Sequence, residues 1–211
     1  MVRLPQLMIA LALVALVAVS GCSAADAPSA EWPPVWSASF NDSLGYASTP
    51  GMYAYDATLT ASRVDYLDPH VDYLCKTSGL MFGVEMCSQV AVDDMLFVMA
   101  PGSASCCRCC SYDQGCGPLE RDWAAKGTYQ GVVNINGVPS DKWLVMGGEA
   151  NYYYQTVDRH IPILVNNSGN QLFYYDTTSF STMANPNFFD IPSYCRSSAM
   201  CDGFCAKIRS M

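Results

Sequence analysis

The segment Cys106-Cys107-Arg108-Cys109-Cys110-Ser111-Tyr112-Asp113-Gln114-Gly115-Cys116 places five cysteines within eleven residues. Thiols this close must be bridged, bound to metal or kept reduced, and each fate demands a different compartment. The N-terminus favours bridging. Arg3 supplies a positive start, residues 7–19 (LMIALALVALVAV) an apolar run, and Ser20-Gly21-Cys22-Ser23-Ala24-Ala25 a small-residue cleavage region. This is the pattern of a secretory signal over residues 1–25, too short to anchor comfortably in a bilayer. Val19-Ser20-Gly21-Cys22 is also close to a bacterial lipobox, so a lipid anchor on Cys22 is the alternative. No second apolar stretch suggests a stable membrane span after cleavage.

Loss of Cys22 leaves ten of the 11 cysteines: Cys75, Cys87, Cys106, Cys107, Cys109, Cys110, Cys116, Cys195, Cys201 and Cys205. In an oxidising compartment these make five disulfides of unreadable connectivity. Adjacent cysteines rarely bond each other. In extended chain Cys106 and Cys110 would face one side, with Cys107 and Cys109 facing the other. The segment would then be pinned on both faces, with Cys75, Cys87, Cys195, Cys201 and Cys205 as partners and the C-terminal tail tied to mid-chain. The metal reading rests on C-x2-C spacing at Cys106/Cys109 and Cys107/Cys110 and on Cys201/Cys205. Secretion opposes it, and His70 and His160 are the only imidazoles.

Composition bounds the class. About 185 residues remain after cleavage, enough for one domain with a core. A net charge of −8 excludes nucleic acid as a partner, and simple attraction to anionic membranes. Asn41-Asp42-Ser43 and Asn166-Asn167-Ser168 are glycosylation sequons, with Asn41 and Asn166 as acceptors. With the signal peptide they favour a eukaryotic secretory route.

The periodicity is that of strands: residues 35–40, 52–56, 61–66, 80–86, 90–99, 129–135, 143–146, 151–157, 160–165 and 171–176. Asn136-Gly137 is a hairpin turn. Helix is expected only over 119–126 and 197–208, the latter with Cys201 and Cys205 on one face. The expectation is therefore mainly β: one antiparallel domain over residues 35–211, about eight to eleven strands with a few short helices. Residues 26–34, with Pro28, Pro33 and Pro34, are expected to form an exposed arm.

Phe40, Gly51-Met52-Tyr53-Ala54-Tyr55-Asp56 and Arg63-Val64-Asp65, with Asp122-Trp123, Tyr129-Gln130-Gly131 and the closing Phe189-Asp190-Ile191-Pro192-Ser193-Tyr194-Cys195, resemble ependymin-related proteins. The CCRCC segment and the tail 197–211 depart from that pattern. The resemblance implies a curved antiparallel half-barrel, similar to bacterial lipoprotein carriers, wrapped around a pocket for lipid-like ligands. It also implies glycosylation, calcium binding and a homodimer.

Tyr53, Tyr55, Phe97, Trp123 and Trp143 are candidates to line such a pocket, the alternative being that these rings fill a core. Asp65, Asp68 and Asp72 are spaced to gather oxygens around calcium, although a solvated acidic loop explains them as well. Calcium is the only cofactor suggested. No G-x-S-x-G or H-E-x-x-H occurs; Asp158-Arg159-His160 offers a carboxylate near an imidazole, but charged residues beside a turn explain it as well, and Asp68-Pro69-His70 is similar. The chain is thus expected not to be an enzyme. The leading expectation is a secreted, disulfide-stabilised carrier whose partner is a lipid or other apolar small molecule. A structural or adhesive glycoprotein comes second and a hydrolase third.

Overall fold

The strand periodicity resolves into eleven strands of one sheet. In the computed structural model, which describes residues 27–80, 86–183 and 185–211, β1 (Val35–Leu44), β2 (Ala47–Asp56), β3 (Ala61–Tyr66), β4 (Cys87–Val92), β5 (Met95–Ala100) and β6 (Ser105–Ser111) form one antiparallel meander. A second comprises β7 (Thr128–Ile135), β8 (Val138–Met146), β9 (Ala150–Thr156), β10 (Pro162–Asn167) and β11 (Gln171–Tyr175). The order β6-β5-β4-β3-β2-β1-β11-β10-β9-β8-β7 joins them along β1 and β11. The sheet is curved and unclosed, a half-barrel. β6 and β7 are consecutive in sequence but lie at opposite edges, so residues 112–127 must cross the opening between them.

Turn chemistry sets the hairpins. Asn136 and Gly137 take φ of 50° and 89° between Ile135 and Val138, as a type I′ turn requires. Asp93 and Asp94 do the same at 51° and 61°. The single strand expected over 90–99 is therefore two. Its apolar residues read as one run because both strands are buried on both faces. The strand expected over 80–86 falls largely on residues 81–85, outside the described residues.

The helix expected over 119–126 is corrected, and the one expected over 197–208 is shortened to its second half. Residues 121–126 form turns. The Arg121 carbonyl, which a helix would give to the amide four residues on, instead accepts from the Trp32 amide at 2.9 Å. The C-terminal segment splits into α2 (Ser193–Arg196) and α3 (Gly203–Arg209), with α1 (Tyr73–Thr77) packing on α3. Between α2 and α3, Arg108 donates to the Ala199 carbonyl at 2.9 Å and accepts from the Cys201 amide at 2.8 Å. The backbone there belongs to the β6 edge, so Cys201 lies outside the helix. Among the described residues no helix is long and apolar enough to cross a membrane.

The arm before β1 is exposed at Ala27, Ser29, Glu31 and Pro34 but turns two residues inward. Ala30 and Trp32 are each 1% accessible. Gln155 Nε2 donates to the Ser29 carbonyl at 2.7 Å, holding the arm against β9. Trp32 lies inside the concavity, with Trp36, Tyr55 and Trp123 rings 5.1, 5.2 and 5.7 Å away. The prolines suggested an extended segment; the indole between them supplies the burial.

Strand alternation separates two faces. Trp36, Ala38, Phe40 and Asp42 point inward from β1, while Ser39 and Asn41 point outward. Phe173, Val165, Tyr153, Trp143 and Tyr129 stand directly opposite one another across β11 to β7, forming a continuous inner row. On the outer face, Phe189 packs against Ala54 and Ala61, and Cys195 against Val90, Phe97 and Met99.

Candidate functional site

The cysteines lock the frame of the site. The bridges are Cys75–Cys87, Cys106–Cys195, Cys107–Cys201, Cys109–Cys205 and Cys110–Cys116. All ten cysteines among the described residues are paired, and the tail is tied to β6 three times. The expected face assignment holds for Cys106, on the outer face, and for Cys107 and Cys109, on the inner. It fails for Cys110. Arg108 opposes Phe97 and Ser111 opposes Met95, so β6 carries one extra residue there. That bulge turns Cys110 inward beside Cys109. Two partnerships also differ from expectation: Cys75 and Cys87 bond each other, and Cys110 closes onto Cys116 within the cluster. The sulfurs of Cys109, Cys110 and Cys116 lie close together, but all are bridged and offer no thiolate to a metal.

From Cys116 the chain crosses the concave face as a strap. Tyr112 donates its hydroxyl to the Thr60 carbonyl at 2.8 Å, fixing one end to the β2–β3 turn. Arg121 Nε donates to the Trp32 carbonyl at 2.9 Å, fixing the strap to the arm. Below it runs a groove with two lobes. The larger, about 690 Å³, is walled by Leu119, Trp123, Val145, Met146 and Val165. The smaller, about 210 Å³, is walled by Trp32, Tyr53, Val64, Phe173 and Tyr175. Gly117, Pro118, Leu119, Val165 and Asn167 border both, so the lobes adjoin. The size suits a small apolar molecule.

The five candidate pocket residues separate. Trp123 and Tyr53 line the large and small lobes. Tyr55 borders an adjoining cleft under the strap. Trp143 is 2% accessible, in tilted contact with Tyr129 and Tyr153 at 5.3 and 5.7 Å, and serves as core. Phe97 is corrected outright: Val98, its neighbour, faces inward, and Phe97 lies on the outer face with Cys195. The sequence reading missed Val64, Val165, Phe173, Tyr175 and the strap residues Pro118 and Leu119. Strand parity counted through the hairpins would have found Val64 from Tyr53 and Val165, Phe173 and Tyr175 from Trp143; the strap's path depends on strand order.

Asp65, Asp68 and Asp72 are not brought together. Asp65 takes both its bonds from Arg63 Nε, at 2.8 and 2.9 Å. Asp68 accepts from the His70 amide at 2.9 Å. Asp72 caps α1, accepting from the Cys75 amide at 2.8 Å and from Gln89 at 2.6 Å. Burial pushes its carboxyl up, against the bonds from the Cys75 and Leu74 amides. Asp42, inward on β1 and fully buried, accepts from Gln171 at 2.8 Å. Burial pushes it up to about 6, opposed by the Gln171 bond and reinforced by Asp72. Burial likewise raises Tyr53, Tyr66, Tyr153 and Tyr175, so the inner face carries neutral phenols. His160 meets Gln155, 2.9 Å from its Nδ1, while Asp158 faces Arg159 at 3.7 Å.

Asn41 and Asn166 share the outer face. Asn41 is exposed opposite Tyr174, and Asn166 stands opposite Leu172 and Tyr152.

No protein-family model matches this chain, and no curated protein matches either. Solved structures do. An uncharacterized conserved protein from Thermus thermophilus superposes with a TM-score of 0.51 at 9% identity, covering 80% of this chain and 90% of that one. MucB gives 0.43 at 12% identity, covering 82% of this chain and 60% of MucB. The Pseudomonas aeruginosa MucA/MucB complex gives 0.38 at 13% identity, covering 76% and 56%. The chain thus spans under two thirds of MucB. The Thermus protein shows that this half-barrel recurs outside the present sequence.

Proposed function

We propose that this protein is a secreted carrier that holds a lipid-like or other apolar ligand in the strapped groove and performs no catalysis. One observation carries the reading: the concave face, though packed with rings around Trp32 and Trp36, leaves two adjoining, mainly apolar clefts beneath residues 117–120. Both open to solvent and so present concave apolar surface that a bound apolar molecule would cover. The five bridges support maturation in an oxidising compartment, and the expected signal over residues 1–25 and glycans on Asn41 and Asn166 belong to the same proposal. So does kinship with ependymin-related proteins. Phe40, Gly51 and Asp65, three residues of that resemblance, meet on β1 to β3, where a Cβ on residue 51 would strike the Phe40 ring and the Asp65 carbonyl. A second reading, an adhesive glycoprotein, is favoured by the outward Tyr152, Tyr154 and Tyr174 on β9 and β11, which form an apolar cluster with Leu164 and Leu172.

The neutral fluorophore 1-N-phenylnaphthylamine tests the carrier reading. We expect saturable binding at one site, weakened about tenfold or more by Leu119→Asp and by Val145→Trp, with melting temperature retained in at least one of them. Absence of saturable binding, or binding indifferent to both changes, overturns it.

A further inference from the structure

The charges at the groove specify the head group of its ligand. Resting on the carrier reading above, we propose that the ligand is an uncharged, hydrogen-bond-accepting amphiphile, such as an acylglycerol or a long-chain ester, and not a fatty acid or phospholipid anion. The larger lobe borders two charged side chains, Glu120 and Lys126, and the smaller borders none. Lys126 is already paired. Its ammonium is bonded to Glu120 and lies 3.3 Å from Asp122, so two carboxylates stand around this one cation. The next cation along, Arg121, is spent on the Trp32 carbonyl at 2.9 Å and on Glu31 at 3.4 Å. A carboxylate or phosphate drawn into this mouth would lose water, meet surplus negative charge and find no unengaged cation among these lining residues.

Donors for a neutral oxygen are present. Asn167, which borders both lobes, offers a side-chain amide from β10, and Asn151 on β9 offers the amide hydrogen left over from its bond to the Glu149 carbonyl at 3.2 Å. An ester carbonyl or hydroxyl satisfies such donors without bringing charge.

The test compares two ligands with the same eighteen-carbon chain, 1-oleoylglycerol and oleate. Each is delivered from cyclodextrin at pH 8 and followed by tryptophan fluorescence. We expect 1-oleoylglycerol to bind about tenfold or more tightly than oleate. We also expect the ratio to shrink in the Glu120→Gln/Asp122→Asn variant, where Lys126 is released. Oleate binding equally or more tightly to the unaltered protein overturns the head-group assignment and leaves the carrier reading standing. A ratio unchanged in the variant overturns the electrostatic explanation. Binding of neither ligand overturns the assignment together with the carrier reading.

Discussion

At the residue scale, buried Asp42 and half-buried Gly51 have measurable consequences. Asp42 titrates near 6 when folded against an ordinary value of 3.8. The folded state therefore holds this proton more tightly than the unfolded chain. The resulting stabilisation is complete below about pH 4 and is lost as pH rises through 6. Asp42→Asn keeps an oxygen for Gln171 and removes the charge. It should raise stability at pH 7.5 by about 1–3 kcal/mol, allowing for solvent screening, and by almost nothing at pH 4. Thermal melts at the two pH values check this, and an equal shift at both would contradict it. Gly51 is the second position. With Phe40 lying across it, Gly51→Ala should destabilise by about 1–3 kcal/mol through overpacking, read as a lower urea midpoint. An unchanged midpoint would show that the ring moves aside freely.

At the element scale, β6 and the strap carry the argument. The Cys109–Cys205 bridge spans 96 residues and Cys110–Cys116 spans 6. Because Cys107–Cys201 already ties the same two segments, the Cys109–Cys205 bridge closes an added loop of only about eight residues, worth about 2–3 kcal/mol by chain entropy. Replacing Cys109 and Cys205 by serine should thus lower the denaturation midpoint only modestly. The Cys110→Ser/Cys116→Ser protein should instead show its defect in the strap, as faster proteolysis after Lys126 and Arg121 that bound 1-N-phenylnaphthylamine suppresses. Equal cleavage with and without the probe would separate the strap from the groove. Much of this was legible beforehand. Alternation gave the mainly β class and most strand positions, Asn136-Gly137 gave its hairpin, and the count of ten gave full pairing. What local sequence could not show depended on distant partners. The Asp93-Asp94 turn hides in an apolar run buried on both faces. The helix expected over 119–126 fails because Trp32 takes a carbonyl from it. Phe97 falls on the wrong face because parity had no reference strand. The groove itself exists only because β6 and β7 sit at opposite edges, a matter of strand order that periodicity does not report.

At the scale of the whole molecule, two meanders meet at β1 and β11, an arm and a strap enter the concavity from either side, and three bridges hold the tail to one edge. The outer face bears both sequon asparagines, which leaves the inner face as the place for a small ligand. The most direct measurement is the native mass of the secreted, unreduced protein before and after extraction with organic solvent. The account expects a discrete adduct of a few hundred daltons that extraction removes, on a chain with no alkylatable thiol. A chain that carries no adduct as secreted, and gains none when offered 1-oleoylglycerol, would contradict the central claim that the strapped groove is a ligand site.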